Sequence, residues 1–68
     1  MRDYYSEISK KIDYLSSHYC AHEFNPRSME LSSWITNRID WCWKFRKITA
    51  QQKDELCNRM IVYFEGDY

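Results

Sequence analysis

The chain has almost none of the residues that make loops: one glycine, Gly66, and one proline, Pro26, in 68 residues. That leaves little room for long connections and none for a repeat or a low-complexity linker. An excess of charge is missing too. Ten basic residues meet ten acidic ones, so no global field would hold a polyphosphate or an anionic membrane. Nowhere is there a run of roughly 18 apolar residues, as a membrane span needs, and the opening Met-Arg-Asp-Tyr-Tyr lacks the apolar core of a signal peptide. A cytosolic protein is expected. Its three cysteines, Cys20, Cys42 and Cys57, are an odd number without a secretion signal, and are expected to stay thiols.

What the chain has in quantity is aromatic bulk: three Trp, six Tyr and three Phe. A domain of this size gains only a few kcal/mol from one core, and rings that each bury on the order of 150–250 Å² are the natural reinforcement. So much ring surface is hard to hide in one small core, which keeps self-association as a homodimer open.

Periodicity predicts one all-α domain over residues 1–68 with three helices, at about 3–18, 26–46 and 50–64. In the first, Asp3 can cap the start with Glu7 close behind. Tyr5, Ile8, Ile12, Leu15 and Tyr19 follow steps of three and four and form a seam, with Tyr4, Lys11 and Tyr14 beside it. Residues 20–24 read as a connection anchored by Phe24. Asn25-Pro26 announces the second helix as N-cap and first helical residue; Ser28 is an alternative cap.

The second helix holds all three tryptophans and is expected to be central, with the other two on its flanks. At about 100° per residue, Trp41, Trp34, Phe45, Leu31, Cys42, Ile35 and Ile39 form one apolar arc, with Trp43 at its edge. Trp34, Trp41 and Phe45 are expected in the core. Arg38 falls inside the arc, where it must snorkel, stack on Trp34 or Trp41, or meet a carboxylate. After a break at Lys47-Ile48, Thr49-x-x-Gln52 fits a capping box. The short connection makes the second and third helices a hairpin or a steeper corner. The third helix presents Leu56, Met60, Tyr63 and Phe64 inward with Cys57 and Ile61 alongside, and leaves Val62 exposed.

His18, Cys20 and His22 are the nearest thing to a metal cluster, but a tetrahedral site needs four ligands and the other cysteines belong to apolar faces, so no metal or other cofactor is expected. A Cys–His nucleophilic pair would need a pocket that a core this small cannot spare; no enzyme is expected. The segment joining the second and third helices can be taken for a helix-turn-helix. Gln51, Gln52, Lys53, Asn58 and Arg59 would then read bases, with Lys44, Arg46 and Lys47 on phosphates. Asp54 and Glu55 oppose that reading, and favourable charge at a helix C-terminus accounts for the cations. The candidate binding residues are Trp43, Arg38, Tyr14, Tyr4, Lys44 and Lys47, since Trp, Tyr and Arg dominate binding hot spots.

Leu31 to Phe64, with an aromatic helix WITNRIDWCWKF, a turn RKIT, a Gln/Glu-rich helix AQQKDELCNRM and a final IVYF, resembles in style the short open reading frames of phages and prophages. The resemblance implies an accessory protein of a mobile element. Such proteins, anti-CRISPRs among them, often occupy a surface of a larger host enzyme or defence complex in the bacterial cytoplasm. Many anti-CRISPRs are acidic mimics of DNA, and the neutral balance here departs from that pattern. The expectation is a non-catalytic, protein-binding inhibitor. A small nucleic-acid-binding regulator and a structural homo-oligomer are its rivals.

Overall fold

A computed structural model describes residues 3–20 and 25–65. Among them are three helices, α1 (Tyr4–His18), α2 (Pro26–Lys44) and α3 (Ala50–Glu65), and no strand. Short-range chemistry sets their ends. The Asp3 carboxylate accepts from the Ser6 N–H at 3.1 Å, and the Asn25 side chain accepts from the Arg27 N–H at 2.9 Å, so α2 starts on Asn25. Ser28 lies inside the first turn and donates back to the Asn25 carbonyl. The capping box of α3 is closed in both directions. Thr49 N–H donates to Gln52 Oε1 at 3.0 Å, and Gln52 N–H donates to Thr49 Oγ1 at 3.1 Å.

α2 stops two residues short of the expected 46, in a Schellman ending. The Lys47 N–H reaches the Cys42 carbonyl at 2.6 Å and the Arg46 N–H reaches that of Trp43 at 3.1 Å. Arg46 supplies the left-handed residue of the motif, with φ 58°, a conformation glycine adopts without cost and other residues do not.

Each helix packs against both of the others. α2 has a neighbour on each flank, but it is not more central than α1, which packs against both α2 and α3. Tyr5 donates to Glu55 at 2.7 Å, Arg59 to Ser9 Oγ at 2.6 Å and to the Asp13 carboxylate, and Tyr63 to the Tyr19 carbonyl at 3.3 Å.

The core is aliphatic, not aromatic. Ile8, Ile12 and Leu15 come from α1, Ile35, Ile39 and Cys42 from α2, Leu56 and Met60 from α3, and Ile48 from the α2–α3 connection. The α1 seam is as expected, with Tyr5 and Tyr19 half-buried at its ends. Trp34, Trp41 and Phe45 are not in the core: they are 38%, 38% and 54% exposed. The expected arc has divided. Its Ile35–Ile39–Cys42 side points into the bundle, where compact aliphatic side chains fit between three close helices. The larger rings stand on the flank towards α1. Phe64 and Ile61 are likewise exposed, whereas Val62 is exposed as expected. Phe24 and residues 66–68 lie outside the described residues.

Candidate functional site

Residues 34, 38, 41 and 45 recur at intervals of four, three and four, which lines them up along one side of α2 over about 17 Å. α1 adds Tyr4, positioned in its first turn by the Asp3 cap. The Arg38 guanidinium carbon lies 4.9 Å from the Trp41 ring centre, 5.7 Å from Tyr4 and 5.8 Å from Trp34. Tyr4 and Trp41 are 5.9 Å apart and Trp41 and Phe45 5.1 Å, both tilted. Lys11 stands 5.7 Å from Trp34, and Lys44 5.8 Å from Phe45. The face therefore interleaves cations and rings, in the order Lys11, Trp34, Arg38, Trp41, Phe45, Lys44, with Trp41 and Phe45 packed ring against ring.

Arg38 is the hub of this face. Three aromatic surfaces surround its planar cation, an arrangement that favours a weakly hydrated guanidinium over an ammonium. Its Nη2 faces Glu7 Oε1 at 3.9 Å, an ion pair longer than a hydrogen bond. Its Nε is shielded from solvent and has no acceptor. The three fates open to an arginine inside an apolar arc are thus combined: the stem is buried, the head stacks on rings, and a carboxylate of α1 approaches it.

Beside this face runs a groove of about 580 Å³ between α1 and α2, lined by Glu7, Lys10, Lys11, Tyr14 and Leu31 among others. Tyr14, 49% exposed, stacks on His18 at 3.9 Å, and the His18 Nδ1 lies 3.1 Å from the Tyr14 carbonyl.

The candidate residues fall into separate places. Arg38 and Tyr4 are in contact and Tyr14 lies in the adjoining groove. Trp43 does not join them. It lies roughly 140° around α2 from Arg38, on the flank towards α3, where Lys53 covers its ring at 5.7 Å. There it lines a second concavity of about 510 Å³ with Lys44, Arg46, Ile48 and Thr49. Lys47 is exposed next to it. Trp34, Trp41 and Phe45 are the functional candidates that reading the arc as core overlooked. The available signal was Arg38 itself, bracketed by aromatics at minus four, plus three and plus seven.

The helix-turn-helix candidates are largely engaged within the fold. Gln52 closes the capping box, Lys53 covers Trp43 and Arg59 ties α3 to α1, which leaves Gln51 and Asn58 facing solvent. Among the described residues no three His, Cys, Asp or Glu side chains gather as metal ligands would. Cys20 is exposed, and His22 lies outside the described residues. No described helix is long and apolar enough to cross a membrane. The fold and this face define a small three-helix domain with an exposed aromatic–cationic side. Compared with protein-family models, curated proteins and solved structures, the chain matches none.

Proposed function

We propose that this protein is a non-catalytic binding module whose working surface is the α1–α2 face built on Tyr4, Trp34, Arg38, Trp41 and Phe45. One observation carries the reading: two tryptophans and a phenylalanine stand 38%, 38% and 54% exposed in a row around a caged arginine. Rings kept half in solvent are area that a partner can still bury, and Trp, Tyr and Arg are the side chains that contribute most per residue to protein interfaces. With three rings around Arg38, less of its side-chain entropy remains to be lost on docking.

The partner in this proposal is a larger protein, in keeping with the phage-type resemblance of Leu31 to Phe64. The module acts inside a bacterial host as an anti-CRISPR-like inhibitor, occupying a surface of a defence complex or nucleic-acid enzyme. The test is capture from a bacterial host lysate, read by mass spectrometry, with the native chain and with a Trp34→Ser/Trp41→Ser variant. Loss of specific partners with unchanged helical circular dichroism supports the reading; the same proteins captured by both sinks it. Light scattering on the free protein addresses a second copy as occupant, since a clean monomer at high concentration removes the homodimer.

A further inference from the structure

The balanced net charge conceals a segregation. From Trp41 to Lys53 the chain has four cations, Lys44, Arg46, Lys47 and Lys53, and no acidic residue. The fold bends this stretch into the α2–α3 corner, around a concavity of about 510 Å³ with Trp43 as one wall. Among the described residues none of these four cations is ion-paired, whereas Arg38 and Arg59 each face a carboxylate.

A helix C-terminus does attract cations, but its partial charge is about half an electron. Four cations far exceed that demand. The corner also holds the N-terminus of α3, whose opposite partial charge offsets the C-terminus of α2. What remains is a concavity whose own lining carries Lys44 and Arg46 and no carboxylate, with Asp40 and Asp54 at the two ends of the stretch, next to an indole that is 44% exposed.

We infer that this corner binds single-stranded nucleic acid, with a base stacked on Trp43 and the flanking phosphates held by Lys44, Arg46 and Lys47. An aromatic platform beside a cationic track is the combination that grips unpaired strands, because every base has a face to stack. Reading of base edges by α3 is not involved, since Gln52 closes the capping box and Arg59 ties α3 to α1. Lys53, 5.7 Å from the Trp43 ring centre, adds charge to the track. The inference shares Lys44 with the edge of the protein-binding face, but its stacking platform, Trp43, is separated from that face around α2.

The test is fluorescence anisotropy with a labelled 12-nucleotide oligothymidylate at 20–200 mM salt. Competitors are thymidine monophosphate, a 12-base-pair duplex and a 12-residue polyglutamate. Neutralisation of three or four phosphates gives a slope of log affinity against log salt of about −2 to −3. Trp43→Ala should weaken binding about 5- to 150-fold, Trp43→Tyr should restore most of it, and Lys44→Glu/Lys47→Glu should abolish it. Trp34→Ser/Trp41→Ser should leave it unchanged, which separates this inference from the protein-binding proposal. All these side chains are exposed, and circular dichroism checks that each variant folds. No binding at 20 mM salt overturns the inference. So does polyglutamate or the mononucleotide competing as well as the strand, or a duplex that binds as tightly and is indifferent to Trp43→Ala.

Discussion

The Arg38 guanidinium carbon lies 4.9 Å from the centre of the Trp41 ring, and the two residues, three apart on α2, are brought together by the helix itself. Tyr4 and Trp34 complete the enclosure from either side. The arginine thus organises rings that have no place in the core, and gives an aromatic face a fixed shape without burying it.

Removing that hub should cost stability in proportion to the ring stacking it provides. Partly exposed cation–π contacts are each worth about 0.5–1 kcal/mol, and an ion pair as long and accessible as that with Glu7 adds little. Arg38→Ala is expected to destabilise by about 1–2 kcal/mol, which lowers the midpoint by roughly 4–15 °C in a domain of this size. Arg38→Lys should fall between, since an ammonium lacks the flat surface that stacks. Thermal melts followed by circular dichroism, with tryptophan emission reporting on the cage, measure both.

The division of α2 into a core side and a binding side makes a contrast of adjacent residues. Ile35→Ala opens a cavity in a fully buried position and should cost about 2–5 kcal/mol, much of what a small domain has. Trp34→Ser, one residue earlier, should cost under about 2 kcal/mol because its ring is already partly in water. Urea midpoints of the two variants give the comparison; equal losses would mean that Trp34 packs as a core residue.

Arg46 occupies the left-handed position of the α2 Schellman ending. Arg46→Gly removes the clash of its Cβ, offset in part by greater freedom of the unfolded chain, and should stabilise the domain by up to about 1 kcal/mol. The same change removes one cation from the corner, so a raised melting midpoint is expected together with weaker oligonucleotide binding.

The Tyr5–Glu55 bridge between α1 and α3 makes stability depend on alkaline pH. Its hydrogen bond to Glu55, with partial burial adding to it, raises the Tyr5 phenol above the ordinary value of 10.0. Folding therefore favours the neutral phenol. The contribution is complete below the unfolded pKa, near 10, and is lost as pH rises through the higher folded value. Tyr5→Phe should shed this part of the decline, so urea midpoints measured from pH 8 to 11 should converge for the two proteins as the phenol ionises in both states.

Much of the fold was legible because the signals are local. Asp3, Asn25-Pro26 and Thr49-x-x-Gln52 mark helix starts through bonds that span two or three residues, and the Ile8–Ile12–Leu15 seam follows from steps of three and four. What sequence determined by itself is where each helix begins and which angular sector of it is apolar. Only tertiary packing decided how much of that sector the neighbours cover. Ile35, Ile39 and Cys42 went inside and Trp34, Trp41 and Phe45 stayed at the rim, because the gap between three helices admits compact side chains more readily than indoles. Packing also drew Ile48 from the connection into the core, set Arg59 across to Ser9 and Asp13, and placed Trp43 and Arg38 on opposite flanks of one helix. Periodicity gives a residue's angle about its own axis; depth depends on where the other axes lie, and that is a property of the assembled bundle.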